Sequence, residues 1–100
     1  MLVTPEAQIR DGMRIEWDVP IPMDDGVVLR ADLFRPIPSG RYPVILSYGP
    51  YAKGLAFADG YPSAWERLTS DHPEVLASSS GAYMNWEVVD PERWVPEGYA

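Results

Sequence analysis

The sequence predicts an α/β fold, read as the N-terminal portion of a larger protein, from three observations. An alternating stretch at 13–23 turns through Asp24-Asp25-Gly26 into a return stretch at 27–35, the pattern of a β-hairpin. Val44-Ile45-Leu46 is a continuous apolar run between Pro43 and Gly49-Pro50, which suits a strand covered on both faces. Beyond it the chain carries helix signals, so the neighbours that such a strand needs are not supplied within 100 residues. A small three-stranded domain, acting as a non-catalytic β-rich binding or interaction module, is the rival reading.

The hairpin comes first. Met13, Ile15, Trp17, Val19, Ile21 and Met23 alternate with polar residues and prolines, which is period two and predicts a half-buried strand. Pro20 and Pro22 cannot donate to a ladder, so the end of this strand belongs at an edge. Asp25-Gly26 marks the turn because glycine accepts a positive φ cheaply. On the return strand Leu29, Ala31 and Leu33 share one face, and Arg30 and Asp32 the other. Pro36 ends it, and Ile37-Pro38-Ser39-Gly40 is a link rich in turn formers.

A short buried helix is the rival reading of 43–48, but the flanking Pro43 and Gly49-Pro50 leave only six residues, which favours a strand. Residues 52–90 form a long connection with weak signals. Ser63-Ala64-Trp65-Glu66 fits a capping box and predicts a helix starting at Ala64. Asp71 and Glu74 are candidate caps of a second short helix with Pro73 in its first turn, and Ser78-Ser79-Ser80-Gly81 breaks the pattern. Asp90 followed by Pro91 predicts a helix with Asp90 as N-cap, ending near Gly98.

Composition narrows the function. The net charge is −7 and the Lys and Arg number only eight, scattered along the chain. A phosphate backbone or an anionic lipid surface needs clustered cations, so nucleic acid and membrane are not expected partners. There is no cysteine, hence no thiolate nucleophile, disulfide or Cys-based zinc site. The opening residues lack the apolar core of a signal peptide and no apolar run reaches the ~18 residues of a transmembrane helix, so a cytoplasmic location is expected.

Three pieces of sequence carry a family resemblance. MDDGVVLRADLFRP at 23–36, the strand and turn PVILSYGPY at 43–51, and VDPERWVPEGYA at 89–100 fall in the order seen at the start of CocE/NonD-type serine hydrolases, the Xaa-Pro dipeptidyl-peptidase-like acyl esterases. The resemblance implies an α/β-hydrolase fold that this chain begins, and a serine hydrolase that cleaves esters or amides through an acyl-enzyme. It implies a small-molecule ester or peptide substrate and neither metal nor organic cofactor. It also implies that the nucleophile elbow, the acid and the histidine lie beyond residue 100, so that the chain alone is inactive.

One residue role follows from the resemblance. The tyrosine of the family's Pro-Tyr turn donates its hydroxyl to the oxyanion hole, and Tyr51 holds that position after Pro50. A phenol with a pKa near ~10 stays protonated at neutral pH and has one O–H to give to a developing oxyanion. Without the resemblance, Tyr51 reads as an aromatic packing its loop. Gly49 departs from the polar residue common at that place in the family.

Other candidates resolve to plainer readings. Ser79 sits in Ala77-Ser78-Ser79-Ser80-Gly81, a degenerate elbow, but no strand precedes it and the only histidine, His72, comes before it rather than after. His72 beside Asp71 and Glu74 reads as solvated polar sequence, and Asp24 and Asp25 read as turn residues. The tryptophans read as packing residues. Tyr61, Trp65, Tyr83 and Trp86 lie in the long connection, and Trp65 and Trp86 are candidate substrate-binding residues of an acyl pocket.

Overall fold

The computed structural model describes residues 7–49 and 53–100. Its frame is a three-stranded antiparallel sheet in the order β1 (Gln8–Arg10), β2 (Met13–Pro22), β3 (Val28–Arg35). The hairpin at 13–35 is the predicted one. Its turn is held by Met23 N–H donating to Val27 O (2.8 Å) and Val27 N–H donating to the Asp25 carboxylate (3.0 Å), with Gly26 at φ +89°. Strand β1 was not among the expectations. Its signal is Asp11-Gly12, both at positive φ (51° and 75°), which is the two-residue turn that matches strand twist. Pairing with β1 extends along β2 only to Ile15. Among the described residues, the end of β2 that carries Pro20 and Pro22 is therefore an edge, as their missing N–H groups require.

The ladder between β2 and β3 slips between Glu16 and Val19, where Trp17 and Asp18 face the single residue Asp32. This is a β-bulge, and Asp18 sits within it at φ +55°. The bulge breaks the simple alternation of β2. Ile21 and Met23 end up exposed, while Met13 and Ile15 are fully buried.

The buried core consists of Met13, Ile15, Tyr83 and Val95, with Trp17 and Phe34 packed on it. Phe34 lies opposite Ile15 across the ladder, so Phe34 rather than Leu33 meets the core. Trp17 meets Phe34 edge-on at 5.4 Å and stacks on Tyr83 at 6.3 Å. The core thereby joins the N-terminal sheet to the far end of the chain. Tyr83 also donates its hydroxyl to Asp11 in the β1–β2 turn.

The helices are short: α1 (Phe57–Gly60), α2 (Pro62–Asp71), α3 (Val75–Ser78) and α4 (Pro91–Trp94), the last running into a 3-10 turn at Val95–Glu97. Helix α1 was not anticipated. Helix α2 begins two residues before Ala64 and the expected capping box does not form: Pro62 occupies the first turn and Ser63 lies inside the helix. Proline pre-sets the helical φ and lacks an N–H that would need a partner, so it displaces the weaker signal. Helix α3 follows Glu74 without a side-chain cap, leaving Pro73 outside. Helix α4 forms as expected. Asp90 accepts the Glu92 N–H at 3.2 Å, Pro91 takes the first position, and Gly98 closes the segment at φ +89°.

Residues 43–48 differ most from expectation. They form no strand, and Val44, Leu46 and Tyr48 are 67%, 83% and 86% exposed. Two backbone bonds touch the run: Ile45 N–H donates to Ala100 O (2.8 Å) and Ala100 N–H donates to Pro43 O (3.0 Å). One residue bonded to two alternate residues of another segment is the repeating unit of a parallel ladder. A single unit is too little to make a strand, so a run composed for burial stays uncovered.

Candidate active site

Helices α1 and α2 and the segment around Trp86 build an aromatic cluster. Phe57 stacks on Trp86 at 5.2 Å and 15°, and Tyr61 stacks on Trp86 at 4.7 Å and 29°. Phe57 N–H donates to Met84 O at 2.6 Å, which binds the start of α1 to the Trp86 segment. A shallow hollow of about 320 Å³ lies here, lined by Phe57, Leu68, Met84, Asn85 and Trp86 among others. Trp65 is not in that lining. It supports Phe57 from behind, edge-on at 6.2 Å, and lies against Gly81. A Cβ on Gly81 would stand 2.6 Å from the Trp65 ring, and φ is +77° there, so this position needs glycine on both counts. Of the four aromatics of the long connection, Tyr61, Trp65 and Trp86 come together around Phe57, whereas Tyr83 belongs to the core.

The serine run is a structural clasp. Ser79 is buried and donates to the Asp90 carboxylate, while its oxygen accepts the Gly81 N–H at 3.1 Å. Ser80 is bound to Glu92 through its hydroxyl and its N–H, and Arg93 donates to the Ser78 hydroxyl at 2.7 Å. All three serines are thus tied to the start of α4. A nucleophilic serine needs a basic imidazole within reach. His72 is elsewhere, exposed and paired with Glu74 at 3.0 Å. Glu74's own N–H, and then His72, hold that carboxyl below its ordinary range. Ser79 is therefore part of the packing around Asp90.

A charged node sits on the bulge. Asp32, its side chain 7% exposed, accepts the Asp18 N–H (2.9 Å) and the Lys53 ammonium (2.9 Å) on the same oxygen. Lys53 also reaches the Asp18 carboxylate at 3.2 Å. Partial burial pushes the Lys53 amine down. Hydrogen bonds and charge from Asp32 and then Asp18 outweigh that, and its pKa lies above the ordinary value. The alternation along β3 puts Asp32 on the face it shares with Arg30 and marks it no further. Its partner Lys53 is remote in sequence, so pattern alone did not reveal the pair.

Tyr51 lies outside the described residues, between Gly49 and Lys53. Among the described residues no group of three or more His, Asp or Glu side chains is arranged to hold a metal ion. No described helix is long and apolar enough to cross a membrane.

Comparison with protein families supplies the class. Residues 25–100 match the model described as X-Pro dipeptidyl-peptidase, S15 family, a match that begins at the β2–β3 turn and takes in every described helix. The protein is of the hydrolase type. It belongs to the X-Pro dipeptidyl-peptidase family. Searches of curated proteins and of solved structures gave no match.

Proposed function

We propose that this chain is the N-terminal segment of a cytoplasmic serine hydrolase of the CocE/NonD branch of its family. The enzyme cleaves an ester or amide bond of a small molecule or peptide through an acyl-enzyme, and Tyr51 donates a hydrogen bond to the oxyanion. The family match over residues 25–100 is the observation that carries this reading.

The exposed surface supports it. The accessible area is 7117 Å² for 11.2 kDa, against about 5,700 Å² for a typical folded monomer of that mass. The run Val44-Ile45-Leu46 contributes to that excess, and its bonds to Ala100 have the geometry from which a parallel sheet grows. In an α/β-hydrolase the turn after such a strand borders the catalytic serine and commonly supplies an oxyanion donor. A fixed phenol there gains strength as charge develops on the carbonyl oxygen, which lowers the barrier rather than the substrate's binding energy. The aromatic hollow beside Trp86, with Trp65 behind it, is the proposed seat of the substrate's apolar group.

The test is Tyr51→Phe in the intact hydrolase. We expect kcat to fall by about 10²–10³ with KM little changed, the effect of losing one oxyanion donor. Unchanged kcat overturns the role of Tyr51. Failure of the intact protein to react with a fluorophosphonate probe overturns the serine-hydrolase reading as a whole.

A further inference from the structure

We propose that Gly81 is a specificity-determining position: by lacking a side chain it lets Trp65 stand behind Phe57, and it thereby sets the size of apolar group that the aromatic hollow accepts. This rests on the reading of the hollow as the seat of the substrate's apolar group and adds what gauges its size.

Two routes lead from Gly81 to the wall of the hollow. One runs through the backbone. Gly81 O accepts the Met84 N–H at 3.3 Å, and Met84 O accepts the Phe57 N–H at 2.6 Å. Met84 and Phe57 both line the hollow. The Gly81 N–H is itself held by the Ser79 hydroxyl oxygen at 3.1 Å, and Ser79 is held by Asp90, another lining residue. The clasp at the start of α4 therefore anchors this route. The other route runs through rings. The six-membered end of the Trp65 indole lies over Gly81, and Trp65 meets Phe57 edge-on at 6.2 Å. Both routes end on Phe57, which enters the hollow from α1 and stacks on Trp86.

The ring route depends on the missing side chain. A Cβ at Gly81 would stand 2.6 Å from Trp65 Cη2 and 3.1 Å from Cζ2. Carbon atoms in contact rest at about 3.5–4.0 Å, so the ring has to retreat by about 1 Å. Gly81 is buried, and a packed interior does not absorb a shift of that size in place. The displacement passes to Phe57, which the ring already meets, and narrows the hollow. A smaller ring at position 65 acts in the opposite sense, because it leaves room behind Phe57. One methylene more or less in an apolar pocket changes discrimination by roughly tenfold or more, so a wall that moves by about 1 Å is enough to change which acyl group is preferred.

The experiment measures kcat/KM of the intact hydrolase on p-nitrophenyl hexanoate and on p-nitrophenyl acetate, and follows the ratio of the two. Loss of folded enzyme lowers both values alike, so a merely structural role leaves the ratio unchanged. Gly81→Ala should lower the hexanoate-to-acetate ratio by about tenfold, and Trp65→Phe should raise it. Trp65→Phe combined with Gly81→Ala should bring the ratio back to within about threefold of the parent, because the smaller ring vacates the space that the new Cβ needs. Gly26→Ala is the control for backbone strain. Its φ of +89° is equally left-handed, but a Cβ there meets nothing within 4 Å, and its ratio should not move.

A ratio that Gly81→Ala lowers and Trp65→Phe does not restore overturns the proposal, since the backbone rather than the ring contact is then the cause. If Gly81→Ala does not fold, Trp65→Phe alone decides: an unchanged ratio overturns the proposal and a raised one supports it. Phe57→Ala, which removes part of the lining, separates this inference from the reading beneath it. If Phe57→Ala changes the ratio while Gly81→Ala and Trp65→Phe do not, the hollow remains the seat and Gly81 is not its gauge. If all three leave the ratio unchanged, the hollow is not the seat, and both readings fall.

Discussion

Tyr83 shows how one side chain serves two layers of the structure. Its ring belongs to the core with Trp17 and Phe34, and its hydroxyl reaches Asp11 in the first turn. Burial, then the hydrogen bond and charge of Asp11, push its phenol up to about 12. A folded pKa raised above the unfolded value of about 10 gives stability that is complete below pH 10 and is lost as pH rises toward 12. Stability measured by urea unfolding should therefore fall by on the order of 2 kcal/mol across that window. Lys53 adds to the same alkaline loss, because its folded pKa is raised too. Comparison with Tyr83→Phe isolates the tyrosine: the variant should lose part of the dependence, and an identical alkaline profile would contradict the assignment. Tyr83 was legible in the sequence as an aromatic of the long connection but not as a core residue. Its partners Trp17 and Phe34 are far away along the chain, and nothing local marks the meeting.

Among elements, those set by local chemistry follow the sequence most closely. The Asp25-Gly26 hairpin and the Asp90-Pro91 helix start form as read, since each depends on a few adjacent residues and their allowed φ values. Asp90 does more than its cap signal shows, because it also holds the buried Ser79. Asp90→Ala should cost about 1–2 kcal/mol for the lost cap and about 1 kcal/mol more for the unsatisfied hydroxyl, read by urea unfolding. Asp90→Asn, which keeps an acceptor, should lose less; equal losses would count against the double role. Helix α2 shows the limit of local reading. Two start signals overlap at Pro62 and Ser63, and the proline prevailed. The bulge in β2 was invisible for another reason: the extra residue matters only relative to the partner strand, so its register is not written in either strand alone.

For the whole molecule, the proportions are those of a thin core and a wide surface. The radius of gyration is 14.8 Å, against about 13 Å for a compact domain of 100 residues. The uncovered run at 43–48 offers a direct test of the proposed larger hydrolase. Leu46 is 83% exposed, so Leu46→Glu in this chain should change stability by no more than about 0.5 kcal/mol and should reduce self-association seen by light scattering. In the intact enzyme, where the run is proposed to lie inside a sheet, the same substitution should cost more than about 3 kcal/mol or prevent folding. Equal tolerance in both would refute the interior strand.

The sequence by itself determined the hairpin, its Asp-Gly turn, the Asp90 helix start and the apolar character of 44–46, because each is a property of neighbouring residues and their backbone preferences. It also carried the family resemblance on which the proposed role of Tyr51 rests. Only the tertiary structure decided that the serines clasp Asp90, that Tyr83 and not Trp65 closes the core, that Trp65 backs the hollow while Trp86 lines it, and that Asp32 and Lys53 meet on a bulge. These pairings join segments far apart in sequence, and their energies depend on burial and on which charges share a low-dielectric site. Neither quantity exists until the chain has folded.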